Sequence, residues 1–193
     1  GKRLDVDGSV GKLKAMGLDL RRSDTPKFIQ DLLTEILMMV LKNVPEKEIM
    51  QYIKDFRGKF KLMNSWDKGS PKRVNKLTWY QQLEQKKGKA NMPGHVRASM
   101  NWNTLRDLHN DIHSMKITDG MKVIVCTLKK NPLNFTSIAY PVDELHLPKW
   151  FTQLQFDDAA MEETVLDGKI GNLLGVLKWD LSQTTEQVHQ QWF

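Results

Sequence analysis

Cysteine is nearly absent from this sequence, and no long apolar run occurs in it. The single cysteine among 193 residues, Cys126, excludes an internal disulfide scaffold and a cysteine-ligated zinc site. It lies in the apolar run VIVCTL, which favours a buried thiol. No run approaches the roughly 20 apolar residues of a membrane-spanning helix, and the start, GKRLDVDGS, lacks the apolar core of a signal peptide. These absences predict a cytoplasmic protein without a membrane partner.

Recognisable catalytic motifs are missing as well. Neither GxSxG nor HExxH occurs, and GKIGNLLG at 168–175 is neither a Walker loop nor a GxGxxG fingerprint. We interpret that segment as a turn and packing element, and Asp5 and Asp7 as part of a turn. His109 and His113 are four apart on an expected helix, which is a metal-ligand spacing, but no carboxylate motif accompanies them; surface histidines are the alternative to zinc ligands. The chain therefore has the character of a binding element, with no catalytic residue, metal or cofactor of its own.

Positive charge is concentrated in the segment 57–97. Eleven Lys or Arg and two acids give it a net charge of +9, whereas the whole chain carries +6, so the remainder sums to −3. Trp66, Trp79 and Tyr80 are interleaved with the cations, unlike the charge runs of disordered tails. This pattern suits a nucleic-acid backbone, although a solvated face that maintains solubility is the alternative. We predict exposed loops at 68–73 and 86–89.

Hydrophobic periodicity predicts a mostly helical α+β fold. After a cap at 23–26, apolar residues recur at helical spacing from Phe28 to Leu41, and a second helix follows Pro45; together they predict a helical hairpin. Another helix should present Leu105, Leu108, Ile112 and Met115 on one face. The runs MKVIVCTL and FTSIAY predict a small antiparallel β-hairpin.

The chain after this hairpin reverses its charge. Seven acids accompany only Lys149 in the segment 141–168. We expect short helices at 147–154 and 157–166, with an acidic face that points away from a phosphate backbone. The last residues are polar apart from Val188, Trp192 and Phe193. Bulky aromatics in such a setting either pack onto the domain or enter a pocket of another protein, and we favour the second interpretation.

Several short motifs resemble, in order, the end of the palm and the thumb of replicative family B DNA polymerases of contractile-tailed bacteriophages. The first is LKAMGLDLRRSDTPKFIQ, in which Lys14, Met16, Gly17 and 25–27 match a K-x-M-G stretch and a Ser/Thr-Pro-Lys helix start. SPKRVNKLTWY, MPGHVRASMNWN and DGMKVIVCTLKKNPLNFTSIAYP resemble later thumb motifs. Leu4 and Trp102 stand where the family has tyrosine. The last residues resemble the peptide that binds a sliding clamp.

The resemblance implies a domain organisation and a set of contacts. Residues 1–23 would connect palm to thumb, 24–180 would form the thumb, and 181–193 would be a flexible clamp-binding peptide carrying Val188, Trp192 and Phe193. A thumb grips the primer–template duplex through phosphates and the minor groove, where contacts can be nearly independent of sequence. The implied DNA-binding residues are Lys2, Arg3, Lys12, Ser23, Thr25, Lys27, Lys72, Arg73, His95, Arg97 and Trp102. For His95 a buried histidine that holds the Pro-Gly turn, and for Trp102 core packing, are the structural alternatives.

The resemblance also implies a partner, because the magnesium-binding aspartates, the fingers and the exonuclease precede the thumb in that family. This chain would then be a fragment, or the smaller product of a split polymerase gene, acting in the cytoplasm of a bacterial host. Magnesium is expected in the partner palm and no cofactor in this chain. The alternative hypothesis is a stand-alone basic nucleic-acid-binding accessory protein of replication.

Overall fold

A computed structural model describes residues 24–179 and Thr184, and these fall into two compact units. The first contains 24–63, 162–179 and Thr184, and the second is Asn64–Met161. The fold is mostly helical α+β, as the sequence predicted.

Among the described residues, the first unit contains three α-helices: α1 (Lys27–Leu41), α2 (Glu46–Leu62) and α7 (Gly168–Leu177). A π-helical segment, Glu162–Asp167, precedes α7. Ile29, Ile36 and Ile53 are completely buried in one apolar cluster between them. The predicted helical hairpin of α1 and α2 is confirmed. Pro26 and Pro45 occupy the N-cap positions of α1 and α2. Among the described residues neither N-cap makes a side-chain capping hydrogen bond, so residues 24–26 do not provide the side-chain cap expected at 23–26.

The glycine-rich segment at 168–175 is helical, and its interpretation as a turn was wrong. Ile170, Leu173 and Leu174 are almost fully buried in the cluster shared with α1 and α2. Each helical glycine lowers stability by about 1 kcal/mol relative to alanine. Burial of three large aliphatic side chains, at about 1.5–3 kcal/mol each, outweighs that penalty.

The second unit contains a three-stranded antiparallel sheet in the order β1–β2–β3. Its strands are β1 (Ser70–Arg73), β2 (Lys122–Thr127) and β3 (Ser137–Pro141). Its helices are α3 (Leu77–Lys87), α4 (Gly94–Leu108) and the short α5 (Lys149–Thr152) and α6 (Asp158–Met161). Helix α4 packs on the sheet, and its Trp102 lies in a core with Val123, Ile138 and Phe151.

The β2–β3 hairpin confirms the prediction from the two β-rich runs, but β1 replaces part of the loop expected at 68–73. Ser70 pairs with Val125 and Arg73 with Lys122. A polar strand containing Pro71 is possible because β1 is at the edge of the sheet. The close approach of the chain at the start of β1 to β2 requires glycine at 69, where an added Cβ would lie 2.5 Å from the Val125 carbonyl oxygen.

Helix α4 ends at Leu108, earlier than the apolar periodicity suggested. Leu108 is 62% exposed and Ile112 is 81% exposed, so the expected apolar face to Met115 does not form. His109 is the C-cap residue and its ring stacks on Trp150, with centroids 5.6 Å apart. His109 and His113 are therefore not four apart on one helix.

Asp111 organises the turn that follows α4. Its carboxylate accepts hydrogen bonds from the backbone N–H groups of His113 and Ser114, from the Ser114 hydroxyl and from Trp150 Nε1. Burial raises the pKa of Asp111, but these four hydrogen bonds outweigh it and hold the pKa well below the ordinary value. The chain consequently turns away from the helix at this point.

Candidate nucleic-acid interface

Lys72 and Arg73 lie on the edge strand of the sheet, where a backbone network fixes their position. The Val74 N–H donates to the Met121 carbonyl at 2.9 Å, and the Gly120 N–H donates to the Val74 carbonyl at 2.7 Å. Arg73 is exposed, and its Nη1 donates to the Gly120 carbonyl at 2.8 Å. That bond leaves further guanidinium N–H donors for solvent or a phosphate.

A left-handed residue carries the chain from β1 into α3. Lys76 has φ 62° at the N-cap position and is exposed. The carboxylate of Asp119 accepts hydrogen bonds from the Leu77 and Thr78 N–H groups and so caps the helix in place of a local side chain. Burial raises the pKa of Asp119, but these bonds outweigh it and the pKa lies below its usual range. Lys76 is thereby presented beside the edge strand.

His95 lies in the first turn of α4, where the charge of Lys72 acts on it. It is partly buried, and this burial, together with the positive charge of Lys72, lowers its pKa below the ordinary value. The imidazole is therefore neutral at pH 7. The charge of Lys72 therefore acts at the N-terminal turn of a 15-residue helix, whose dipole also attracts anions, and both effects favour a phosphate.

Arg97 belongs to an ion pair within the chain. Its guanidinium donates to both carboxylate oxygens of Glu84 on α3, and Nη2 also donates to the Ala90 carbonyl at 3.1 Å. The Ala90 N–H returns a hydrogen bond to Glu84 at 3.2 Å. These contacts hold the end of α3, the connecting loop and the start of α4 together. The Arg97 side chain remains 30% exposed.

Two other cations of the basic segment are buried in ion pairs. Arg57 is 4% exposed and lies against Glu162 and Asp167 at 3.3 Å and 2.6 Å. Lys68 is 2% exposed and pairs with Asp158 at 3.6 Å. The acidic segment thus neutralises part of the basic one, and the orientation of its acidic face away from a phosphate backbone stays a prediction.

Apart from Arg97, the cations of the segment 57–97 that remain on the surface of the second unit lie between residues 72 and 89. All are exposed except Lys72, which is partly buried. We call this set the basic surface: Lys72, Arg73, Lys76, Lys86, Lys87 and Lys89. The charge of Lys72 acts on His95 in the first turn of α4, and Arg97 in the same turn pairs with Glu84 of α3. Helix α3 continues to Lys87, so only the part from Gly88 forms the loop predicted at 86–89.

Trp102 is buried and does not lie at the surface, so it cannot contact DNA in this conformation as the resemblance implied. Its side chain is completely buried, Nε1 donates to the Met115 carbonyl at 2.8 Å, and its ring meets Phe151 edge-on at 5.3 Å. Trp102 can shape the surface only from beneath. In the first unit Thr25 is 4% exposed, so its hydroxyl is poorly placed for a phosphate, whereas Lys27 is exposed.

Some predicted residues lie outside the described part of the chain. They are Lys2, Arg3, Lys12, Ser23, Val188, Trp192 and Phe193.

The sequence does not reveal that Glu84 pairs with Arg97, or that Lys76 and Trp79 are exposed beside the other cations. The spacing from Glu84 to Arg97 fits no local motif, because the two residues lie on different helices. Trp79 is 54% exposed on α3. Its position among lysines was the available signal.

The part of the chain between residues 24 and 179 contains neither a metal-binding cluster nor a membrane-spanning helix. In that range no group of three or more His, Cys, Asp or Glu is arranged to hold a metal ion. None of the helices described there has the length and apolarity to cross a bilayer. Burial raises the pKa of the Cys126 thiol, so Cys126 is not an activated nucleophile.

Comparison with known proteins gives one informative match. No family model matches the chain. Over 138 residues, 71% of its length, the chain is 29% identical to the DNA-directed DNA polymerase of Enterobacteria phage T4. The matched segment spans only 15% of that polymerase. The similarity supports a relationship to DNA polymerases.

Proposed function

We propose that this chain is the thumb part of a DNA-directed DNA polymerase and grips the primer–template duplex. The supporting observation is the basic surface in a chain that matches a DNA polymerase. Lysine and arginine attract phosphates without regard to sequence, as a polymerase requires. The palm, with its catalytic aspartates and magnesium, the fingers and the exonuclease would be supplied outside this chain.

The positions of the side chains support a more specific set of proposed contacts. Lys72, Arg73 and Lys76 would bind phosphates directly. Arg97 would act mainly by holding α3 against α4, and His95 would lie beside the same phosphates as a neutral hydrogen-bonding group. Lys27 would contribute from the first unit.

Equilibrium binding of the full chain to primer–template duplexes of unrelated sequence tests this proposal. We expect similar affinities for all sequences and a loss of at least about tenfold in the triple variant Lys72→Gln/Arg73→Gln/Lys76→Gln. The matched control is Lys116→Gln/Lys129→Gln/Lys130→Gln, which removes the same charge from exposed positions elsewhere in the second unit. Equal losses in both variants would leave only nonspecific charge attraction and would contradict a built interface.

We also propose that the C-terminal residues bind a sliding clamp. Val188, Trp192 and Phe193 are apolar in a polar context and provide the large side chains typical of hot spots. Tethering to a ring around DNA raises the effective concentration of the polymerase at the primer end. Trp192→Ala/Phe193→Ala should abolish clamp binding without altering affinity for duplex; unchanged clamp binding would refute the assignment.

A further inference from the structure

Trp79 is an exposed aromatic side chain held in a fixed position. Trp79 is 54% exposed, and its ring meets the neighbouring Tyr80 edge-on, with centroids 4.8 Å apart. Tyr80 is partly buried and packs on the core of the second unit. Trp79 therefore forms a supported platform on α3.

The charges around this platform are positive. Lys86 follows Trp79 by seven residues and therefore shares its side of the helix, about 10 Å along the axis. Lys76, the N-cap residue of α3, precedes Trp79 by three residues. Both lysines are exposed. The single acid of α3, Glu84, pairs with Arg97. Asp119 is also close, but its oxygens accept from the N–H groups of Leu77 and Thr78.

We propose that Trp79 stacks on the base of an unpaired nucleotide while Lys76 and Lys86 bind the phosphates on either side. The inference rests on the proposed function, since it takes the same surface as facing DNA, and adds a single-stranded segment to the ligand. Bases within a duplex already stack on one another, so an aromatic platform on a helix surface can reach only an unpaired base. Such stacking tolerates any sequence, because every base has a π-face.

A protein partner fits this surface less well. Lysine is depleted in protein–protein interfaces, although tryptophan is enriched there. Here the exposed tryptophan lies between Lys76 at the start of α3 and Lys86 near its end, and Lys87 and Lys89 follow Lys86 in the sequence. That arrangement is complementary to a polyanion.

Binding of the full chain to two ligands tests the inference: a thymidine oligonucleotide of about 20 nucleotides and a blunt duplex of about the same length. Trp79→Ala should weaken binding to the single strand about tenfold and change binding to the duplex less than about twofold. Trp79→Phe keeps an aromatic face and should restore most of the affinity. Leu145→Ala, which removes an 87% exposed side chain from the same unit, is the matched control and should change neither.

The lysines give a second measurement. Lys76→Gln/Lys86→Gln should reduce the slope of log affinity for the single strand against log salt by about 1.4, since each phosphate contact contributes about 0.7. Lys129→Gln/Lys130→Gln should leave it unchanged. Equal effects of Trp79→Ala on both ligands, or none, would overturn the inference. Failure of the wild-type chain to bind duplex would instead refute the proposed function, so the two failures are distinguishable.

Discussion

The guanidinium of Arg97 donates hydrogen bonds to both carboxylate oxygens of Glu84, although 13 residues and a loop separate them. This pair joins α3 to α4 beside the basic surface. Arg97 is thus a positioning residue whose charge is largely neutralised within the chain. A phosphate approaching it would compete with a carboxylate already in place.

Glu84→Gln should separate these two roles. Loss of the charged acceptor should lower the free energy of unfolding by about 1 kcal/mol at pH 7, while the uncompensated Arg97 should raise duplex affinity about threefold. The hydrogen bond from Arg97 is the main cause that lowers the pKa of Glu84, so the stabilisation is present above the unfolded pKa and lost as pH falls through the folded one. Urea unfolding at pH 7 and pH 3 should show that the difference in free energy of unfolding between Glu84→Gln and the wild type is smaller at pH 3.

Glu163→Gln is the control for this variant, because it removes one negative charge from an exposed side chain. It should change neither the free energy of unfolding nor the duplex affinity appreciably. A Glu84→Gln protein that is as stable as wild type at neutral pH would mean that the pair contributes nothing to the fold.

Trp102→Phe should lower stability and leave the interface intact. The substitution removes the hydrogen bond to Met115 and part of the ring from a fully buried site, and we expect a loss of about 1–3 kcal/mol. Thermal unfolding measures this, and duplex affinity below the melting temperature should match wild type. A loss of affinity with unchanged stability would identify Trp102 as a DNA contact after all.

Much of this fold follows from local sequence patterns. The helical spacing after Pro26 and Pro45 and the two β-rich runs identify α1, α2, β2 and β3. Strand β1 was hidden because Ser-Pro-Lys-Arg has low β-propensity and pairs only through its backbone at a sheet edge. Helix α7 was hidden because its glycines oppose helix formation until tertiary burial compensates.

The candidate nucleic-acid interface is harder to predict from the sequence than the fold, for a different reason. Lysine and arginine can be counted from the sequence, but their ion-pair partners cannot be. Arg57 and Glu162 are 105 residues apart in sequence, and the pairing that removes Arg57 from the surface has no local signature. The family resemblance singles out Lys72 and Arg73 as phosphate ligands, but it does not single out their neighbour Lys76.

Arg57→Met should be strongly destabilising. Nε and Nη2 donate to the carbonyl and hydroxyl oxygens of Thr184, and Glu162 and Asp167 both lie against the guanidinium. Residues five apart are about 140° apart around an α-helix, and the wider π-helical turn brings these two acids closer to one side. Removing the cation leaves two poorly solvated carboxylates, which should lower the free energy of unfolding by about 3 kcal/mol.

Urea unfolding of the full chain measures that loss. Lys59→Met changes an exposed cation two residues away on α2 and should alter stability by less than about 0.5 kcal/mol. Similar small effects for both variants would contradict a structural role for Arg57.

His95 should report on the charge of Lys72 and on bound DNA. Burial first, and then Lys72, lower the pKa of His95. The unfolded chain therefore binds this proton more readily, and stability is lost as pH falls below about 6.5. NMR titration should show a higher His95 pKa in Lys72→Gln and in the duplex complex, where phosphate offsets the lysine charge. Lys130→Gln should leave it unchanged, and an unaltered pKa in both test conditions would refute the proximity of His95 to the DNA.

The salt dependence of duplex binding tests the central claim most directly, namely that the basic surface neutralises phosphates. Each phosphate contact contributes about 0.9 to the slope of log affinity against log salt, so the slope of Lys72→Gln/Arg73→Gln/Lys76→Gln should be smaller than that of wild type by about 2.7. The control Lys116→Gln/Lys129→Gln/Lys130→Gln should keep the wild-type slope. Equal slopes for all three proteins would contradict the account.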